Sequence, residues 1–294
     1  MAGICCSTPA YCPLHCSTCM IRSFLNDCLA VEKLASKPQK IATAVESPSL
    51  AVYAEELAAA PTSMRRVYYL AAALFLLGFL ALPIDHAAGA NFVEPGDLAW
   101  KIEGDLRTLF LLSEAFAHGT GVIVIVIALA VLDRRHRNLF FVPLLTALGG
   151  GMLANILKVS LLARIRPHAF DFTQSIWGTF YAALPLFNSA AWSHLGEHDY
   201  QGCPSAHSAT AAALAVALTL IYPHGRWLFV GLTLMAGFQR VLVGAHFPSD
   251  VIWGWSVGTV FAAVILDHGR LIRWANAWVR RFRRIWGVTK SAEK

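Results

Sequence analysis

The sequence predicts an all-α fold: a polytopic membrane protein built as a bundle of six transmembrane helices. Of its 294 residues, 56% are hydrophobic and only 14% are charged, whereas soluble domains carry about 25% charged residues. Six apolar runs approach or reach the roughly 17–25 residues that a helix needs to cross a bilayer. The basic residues lie in short segments between these runs. We therefore interpret the net charge of +6 as a sign of membrane topology and expect no nucleic-acid partner.

The six predicted spans differ in character. The first run is the most uniformly apolar, and the third contains the segment ALGGGMLAN, whose small residues would let a neighbouring helix approach closely. The fourth is rich in alanine and begins with polar residues. A soluble helical bundle is the alternative, but the runs lack the polar stripe of amphipathic helices. The predicted spans are approximately 67–84, 115–132, 139–157, 205–222, 227–244 and 248–267.

The basic segments predict an orientation. Arg65 and Arg66 precede the first span, residues 133–137 join the second span to the third, and residues 224–226 join the fourth to the fifth. Six spans put these segments and the arginine-rich tail on one side, which the positive-inside rule makes cytoplasmic. Both termini are then cytoplasmic. The segments expected on the outer side are 85–114, 158–204 and 245–247.

The two ends of the chain are predicted to lie outside the bundle, which occupies residues 64–268. Residues 1–63 hold six of the 7 cysteines, at a spacing too loose for a convincing zinc site. We interpret them as a disordered extension with a linker, or as sequence upstream of the true start codon. Residues 269–294 are predicted to be a basic amphipathic cytoplasmic tail that lies on an anionic leaflet, or a plain positive stop signal.

Charged side chains gather on the predicted outer face. NILKVSLLARIRP (155–167) ends the third span, CPSAH (203–207) opens the fourth, and QRVLVGAHFPSD (239–250) joins the fifth to the sixth. A single histidine or arginine here is usually a packing or anchoring residue. Because three separate segments bring such residues to one membrane face, a functional site is the stronger interpretation.

The residue types suit phosphate chemistry. Lysine and arginine bind phosphate oxygens, and the N–H groups of the fourth span, with Pro204 in its first turn, favour an anion. His246 and Asp250 are four residues apart, on one face if a helix begins there. Asp250 would accept a hydrogen bond from one imidazole nitrogen and leave the other as a nucleophile. His207 would protonate the leaving oxygen.

These segments resemble the three-part motif of the type 2 phosphatidic acid phosphatase (PAP2) superfamily, which includes the vanadium haloperoxidases. The family pattern is K-x6-R-P, then P-S-G-H, then S-R-x5-H-x3-D. The resemblance covers roughly residues 65–268 and includes the six-span layout. The matching residues are Lys158, Arg166 and Pro167 in the first part, Pro204, Ser205 and His207 in the second, and Arg240, His246 and Asp250 in the third.

The resemblance implies a reaction without metal or other cofactor. His246 would form a phosphohistidine, Asp250 would hold it, and His207 would act as general acid and later activate water. Positive side chains and a helix start can stabilise the transition-state charge without a metal ion. The phosphate-binding residues implied by the resemblance are Lys158, Arg166, Arg240, Ser205 and Ala206.

Three positions depart from the family pattern. One extra residue separates Lys158 from Arg166, and one residue turns a helix by about 100 degrees. Lys158 therefore points away unless the loop absorbs the difference, and Arg164 is the alternative phosphate contact. Ala206 replaces a glycine and adds only a methyl group. Gln239 replaces a serine and is still polar.

A competing motif lies in the loop before the fourth span. His194-Leu-Gly-Glu-His198 has the H-x-x-E-H form of one class of zinc peptidase. A central glycine and the lack of a further ligand argue against a metal site. We interpret the aromatic segment 168–203 as a cap over the site or a contact with lipid.

The sequence therefore predicts an integral membrane phosphatase that hydrolyses a lipid phosphate monoester or diphosphate at the outer face of the cell membrane. The expected partners are a phosphorylated membrane lipid and the bilayer. Two alternatives stay open: transfer of the phosphoryl or headgroup to another acceptor, and a catalytically silent lipid-binding scaffold. Phosphatidic acid, phosphatidylglycerophosphate, polyprenyl diphosphate and lipid A phosphates share the same headgroup chemistry, so the motif does not choose among them.

Overall fold

The computed structural model describes residues 61–93, 104–133, 136, 139–194 and 196–267, all within the unit Pro48–Lys294. The six N-terminal cysteines and the predicted tail 269–294 lie outside the described residues. The helices are α1 (Pro61–Val93), α2 (Gly104–Ser113), α3 (Gly119–Leu132), α4 (Phe141–Ser160), α5 (Ala206–Ile221), α6 (Arg226–Leu242) and α7 (Pro248–Leu266). Two short strands, β1 (Leu162–Arg164) and β2 (Phe180–Ala183), lie between α4 and α5.

Every predicted span coincides with a helix, but the count of six crossings is not confirmed. Within the described ranges, three helical segments are long and apolar enough to cross a membrane: Met64–Val93, Phe141–Ser160 and Pro248–Leu266. A fourth results if Gly104–Phe116 and Gly119–Leu132, which meet at 78°, form one bent span. α5 and α6 have 16 and 17 residues, fewer than the roughly 20 that the hydrocarbon core requires.

The shortness of α5 follows from its place at the centre of the bundle, where it packs against α4, α6 and α7. Its alanines Ala209, Ala211 and Ala213 are fully buried, as is Leu214. Because most of α5 is buried against other helices, its length need not match the bilayer.

Small residues allow α5 to pack closely against its neighbours. A Cβ atom added at Gly258 of α7 would lie 2.0 Å from the carbonyl oxygen of Ala209. One added at Gly150 of α4 would lie 2.8 Å from the Cβ atom of Ala213. The close approach expected from the ALGGGMLAN segment is therefore confirmed. Glycine also allows α7 to approach α5 closely.

The outer helices expose large apolar side chains, as a membrane protein does. Leu80 of α1 is 74% exposed and Leu132 of α3 is 82% exposed. Soluble monomers rarely expose contiguous apolar surface of this kind. The surface therefore supports a membrane protein over the soluble bundle.

The connection between α4 and α5 contains a small sheet that the sequence analysis did not predict. β1 and β2 pair antiparallel, with Leu162 opposite Ala183, and an isolated bridge joins Arg164 to Gln201. The all-α prediction describes the bundle but not this connection. Strands of 3 and 4 residues are too short to show a clear alternating pattern.

The predicted site segments lie at one end of the bundle, and the described residues of the predicted cytoplasmic loops 133–137 and 224–226 lie at the other. α5 starts at the site end and runs for about 24 Å, at 1.5 Å per residue. At its far end the Tyr222 hydroxyl donates to Asp133 Oδ2 at 3.0 Å, which brings residue 222 against the end of α3.

Candidate active site

His246 lies in the tight turn between α6 and α7. Gly244 supplies a left-handed conformation there, with φ of 65°, and the backbone N–H groups of Ala245 and His246 donate to the Arg240 carbonyl at 3.1 and 3.2 Å. The His246 imidazole is 1% exposed, and its Nδ1 lies 2.7 Å from the Gly202 carbonyl oxygen. Because a carbonyl only accepts hydrogen bonds, Nδ1 carries the proton and Nε2 keeps its lone pair.

Asp250 does not make the direct hydrogen bond that the sequence analysis predicted. Its Oδ2 atom is 4.0 Å from His246 Nδ1 and accepts from the Phe247 N–H at 3.0 Å. Its Oδ1 atom accepts from Arg164 Nη1 at 2.6 Å. The correction has a simple cause: the carboxylate is occupied by a backbone N–H and by arginine. Asp250 fixes the turn that carries His246, and Gly202 holds the imidazole.

Arg164 is not placed to serve as the alternative phosphate contact. It is fully buried, and its Nε donates to Thr179 Oγ1 at 3.1 Å. Its Nη2 donates to Asp85 Oδ2 at 2.8 Å, and its Nη1 bonds Ser249 and Asp250. All three guanidinium nitrogens are engaged, so Arg164 joins α1, the small sheet and α7 through buried charge.

Asp85 was missed by the sequence analysis. It is fully buried, and its carboxylate accepts from the Ser249 N–H at 3.0 Å and the Ser249 hydroxyl at 2.5 Å, besides Arg164. The sequence did contain a signal for Asp85, since an aspartate directly follows the first apolar run. If such a residue is buried, it needs a charged or hydrogen-bonding partner. The predicted span stopped at residue 84, which placed Asp85 in a loop.

Three cationic side chains act on His246. Lys158 and Arg166 are each 5% exposed, and the Arg240 side chain is 12% exposed. Burial lowers the pKa of His246 well below its usual value, and the charges of Lys158, Arg166 and Arg240 lower it further. The imidazole is thus favoured in its neutral, nucleophilic form. Burial and the neighbouring Arg240 also lower the pKa of Arg166, to about 10.

Two of these cations have unused hydrogen-bond donors. Within the described part of the chain, the buried Nε atoms of Arg166 and Arg240 have no hydrogen-bond partner. Arg166 Nη2 reaches the Gln201 carbonyl at a long 3.3 Å. Buried N–H donors are normally satisfied. Unpaired guanidinium donors in a cluster of positive charge are the arrangement expected of an anion site.

Lys158 does not point away from this cluster. It lies in the last turn of α4, which ends at Ser160, and the chain then continues as β1. The loop therefore absorbs the extra residue of the first motif, and the charges of Lys158 and Arg166 both act on His246.

The start of α5 differs in detail from the prediction. Pro204 lies before the helix, which begins at Ala206 with Ser205 as its N-cap. The fully buried Ser205 accepts from the Ser208 hydroxyl at 3.0 Å and donates its N–H to the Asp250 carbonyl at 3.0 Å. Ser205 therefore joins the second motif to the third. Ala206 and His207 follow in the first turn, where the helix dipole favours an anion.

Glu114 is the second residue that the sequence analysis missed. It lies between α2 and α3, and its Oε1 accepts from Arg240 Nη1 at 2.8 Å. Its Oε2 accepts from Gln239 Nε2 at 3.1 Å, and Oε1 is 3.6 Å from His207 Nε2. A single glutamate in a connecting segment carries no recognisable spacing, so only the folded chain shows this contact.

The H-x-x-E-H segment is built as a surface cluster. His194 Nδ1 pairs with Glu197 Oε2 at 3.0 Å, and the Tyr200 ring stacks on His194 at a centroid distance of 4.2 Å. The histidines lie in separate short 3₁₀ helices and not on one face of an α-helix. Among the described residues, no group of three or more histidine, cysteine, aspartate or glutamate side chains is arranged to hold a metal ion.

Residues 139–272, which contain all three motif segments, match the PAP2 superfamily. This match is to the family that the motif residues predict, and it covers 134 of the 294 residues, less than half of the chain. Two curated relatives carry the name lipid A 1-phosphatase. The protein from Rhizobium johnstonii is 36% identical over 118 residues, which are 40% of this chain and 42% of the relative.

The lipid A 1-phosphatase from Rhizobium etli is 36% identical over 117 residues, 40% of this chain and 44% of the relative. The chain thus spans less than half of the length of the curated relatives that it matches. No solved structure matches the chain.

Proposed function

We propose that the protein is an integral membrane phosphatase that removes a phosphate group from a lipid through a phosphohistidine at His246. The observation that carries the proposal is the environment of His246. A buried imidazole is held through Nδ1 by Gly202, with Nε2 unprotonated, among the charges of Lys158, Arg166 and Arg240. A neutral imidazole beside a cationic, partly unsatisfied pocket suits attack on phosphorus.

In the first step, Nε2 of His246 forms a bond to phosphorus while the bond from phosphorus to the lipid oxygen breaks. His207 donates its proton to the leaving oxygen. The three cationic side chains and the N–H groups at the start of α5 neutralise the phosphoryl oxygens. These groups supply the charge stabilisation that metal ions provide elsewhere, so the proposed mechanism uses no metal.

In the second step, water replaces the enzyme nitrogen. His207, now neutral, takes a proton from a water molecule as its oxygen attacks the phosphohistidine. The phosphorus–nitrogen bond breaks, inorganic phosphate is released, and His246 returns to its starting form. Asp250 and Arg164 keep the His246 turn in place during both steps.

The lipid body is proposed to lie beside Gln239. A cavity of about 290 Å³ opens there between α1, α2 and α6, with Phe92 and Phe110 in its walls and Arg107 and His168 among its polar residues. An apolar cleft with a few polar groups suits an amphipathic ligand. Since the curated relatives are named lipid A 1-phosphatases, a lipid A phosphate is the first substrate to test.

The orientation is part of the proposal. The site lies at the end of the bundle opposite the described residues of the basic segments 133–137 and 224–226. The positive-inside rule puts those segments in the cytoplasm and the site at the outer face of the cell membrane. The termini are then cytoplasmic.

Phosphate release by the purified protein in detergent tests the proposal. We expect activity on a lipid A 1-phosphate in the presence of chelator, and we expect His246→Gln to lower it by roughly a thousandfold or more, as loss of a nucleophile does. Phosphatidic acid and a polyprenyl diphosphate would be compared in parallel. His224→Gln is the matched control, because His224 is exposed at the opposite end and its substitution should leave the rate unchanged.

Three results would contradict parts of the proposal. Equal rates for wild type and His246→Gln would exclude His246 as the nucleophile. Loss of activity with chelator would exclude the metal-free mechanism. If the wild type releases phosphate from no lipid but transfers a phosphoryl group or headgroup to an added alcohol acceptor, the transferase is favoured. If neither release nor transfer is detected, the lipid-binding scaffold is favoured.

A further inference from the structure

Glu114 brings a carboxylate into a site otherwise built from cations. Its Oε1 atom hydrogen-bonds Arg240 Nη1 at 2.8 Å and lies 3.6 Å from His207 Nε2. Gln239 holds the other oxygen at 3.1 Å. The side chain is 34% exposed, so it lies at the mouth of the site. The mechanism above assigns it no task.

The position of Glu114 relative to the reacting bond follows from its neighbours. His246 attacks from one side of phosphorus, and His207 protonates the oxygen that departs on the other side. Because Glu114 lies against His207 and not against the buried His246, it faces the leaving group. His118 lies on the same side, with its ring 5.6 Å from that of His207.

The leaving group differs between the two substrate classes. In a phosphate monoester, the phosphorus–oxygen bond that breaks releases a neutral alcohol or sugar hydroxyl, after transfer of the His207 proton. In a diphosphate, the departing oxygen belongs to a second phosphate group, which leaves as an anion. An anionic leaving group would meet the Glu114 carboxylate at short range, whereas a neutral hydroxyl would not.

We propose that Glu114 is a specificity-determining residue that makes the site select phosphate monoesters of neutral lipid alcohols or sugars over lipid diphosphates. The inference rests on the proposed function. It narrows the substrate class that the motif alone leaves open. Lys158, Arg166 and Arg240 attract both kinds of substrate, so the discrimination depends on the negative charge at the leaving-group side.

The kinetic test compares a lipid monoester with a polyprenyl diphosphate in wild type, Glu114→Gln and Glu197→Gln. Glutamine keeps the length of the side chain and an oxygen that accepts from Arg240, but removes the charge. We expect wild type to prefer the monoester in kcat/KM, and Glu114→Gln to shift the monoester-to-diphosphate ratio by about tenfold toward the diphosphate. A ratio measured on one sample is independent of the folded fraction.

Glu197→Gln is the matched control. Glu197 also pairs with a histidine, His194, but in the surface cluster, so its substitution should leave the ratio unchanged. A Glu114→Gln ratio equal to that of wild type would overturn the inference. If Glu197→Gln also changed the monoester-to-diphosphate ratio tenfold, the effect would come from the net charge of the protein, and the inference about Glu114 would again be overturned.

Anion binding separates this inference from the proposed function. Inorganic phosphate and methylenediphosphonate, a diphosphate that resists hydrolysis, would be titrated against the same three proteins. We expect Glu114→Gln to gain affinity for methylenediphosphonate relative to phosphate. If wild type hydrolyses no lipid but the affinities shift in this way, the proposed function fails and the role of Glu114 stands. If hydrolysis occurs and the affinities do not shift, only the role of Glu114 fails.

Discussion

Arg164 and Arg166 are two residues apart in the sequence but differ in how their guanidinium groups are hydrogen-bonded. Arg164 has all three guanidinium nitrogens engaged by buried partners in α1, α7 and the loop before β2. Arg166 has a buried Nε without a partner among the described residues and one long contact to the Gln201 carbonyl. The first arginine stabilises the fold, and the second is available to an anion.

Substituting lysine for Arg164 and for Arg166 distinguishes a role in stability from a role in substrate binding. Lysine has one compact ammonium group and does not reproduce a planar fork of donors. We expect Arg164→Lys to lower stability by about 3 kcal/mol, because Asp85 or Asp250 is left buried without its partner. We expect Arg166→Lys to keep the unfolding temperature and to raise KM by about tenfold.

Thermal unfolding in detergent and lipid phosphatase kinetics would be measured on both variants. A stable Arg164→Lys protein with weakened substrate binding would return Arg164 to the phosphate site. A strongly destabilised Arg166→Lys protein would show that Arg166 is structural.

Residue spacing predicted some residues of the candidate site and gave no sign of others. His246, His207, Arg240 and Arg166 stand in short motifs and could be named from the sequence. Asp85 and Glu114 could not, because their arginine partners are 79 and 126 residues away along the chain. The hydrogen bond of His246 to the Gly202 carbonyl was also missed, because every residue has a backbone carbonyl and the residue type at position 202 does not reveal this contact.

At the scale of elements, the crossing of α5 and α7 positions the site. The Ser205 N–H at the start of α5 donates to the Asp250 carbonyl in the first turn of α7. Gly254 and Gly258 allow this approach: a Cβ atom at Gly254 would lie 2.4 Å from the Ser205 carbonyl oxygen. The second and third motifs are thus held together by backbone contact.

Substituting one of these glycines should therefore affect stability and activity together. In Gly258→Ala the new Cβ atom would lie 2.0 Å from the Ala209 carbonyl, so the helices must separate. We expect a loss of about 2 kcal/mol and a lower kcat. Gly231→Ala in α6 is the control, because nothing lies within 4 Å of its Cβ position and alanine should stabilise a helix interior by about 0.5 kcal/mol.

The prediction is tested by measuring the unfolding midpoints and lipid phosphatase rates of Gly258→Ala and Gly231→Ala. If Gly258→Ala were as stable and active as Gly231→Ala, the crossing would be looser than described and would not position the motifs.

The positions of the helices followed from the apolar runs, but several of their ends did not. α1 continues to Val93, past the charged Asp85 at which the predicted span stopped. The burial of Asp85 is tolerated because Arg164 neutralises it, and that partner is invisible locally. α2 and the two-stranded sheet are short elements whose stability comes from packing and not from their own pattern.

At the scale of the whole molecule, the candidate site and the basic connecting segments lie toward different ends of the bundle. The candidate site lies where α5 begins, and the described residues of the segments 133–137 and 224–226 lie toward its other end. Such separation is expected if one end meets lipid headgroups outside and the other is retained in the cytoplasm.

Cysteine labelling tests this orientation. Ser189 in the loop at the site end and His224 at the basic end are both exposed. We expect a membrane-impermeant maleimide to label Ser189→Cys in intact cells and to label His224→Cys only after permeabilisation. Wild type gives the background from native cysteines; Cys203, the free cysteine of the described residues, is buried. The reverse pattern would place the site on the cytoplasmic face.

The sequence by itself determined the membrane class and the helix positions, and it predicted the likeness to the PAP2 superfamily and most residues of the candidate site, because apolar runs and motif spacing are local properties of the chain. Only the tertiary structure decided which arginine faces the anion site, what holds His246, and that Asp85 and Glu114 take part. Those contacts join segments far apart in sequence, and burial and distance decide which charges pair.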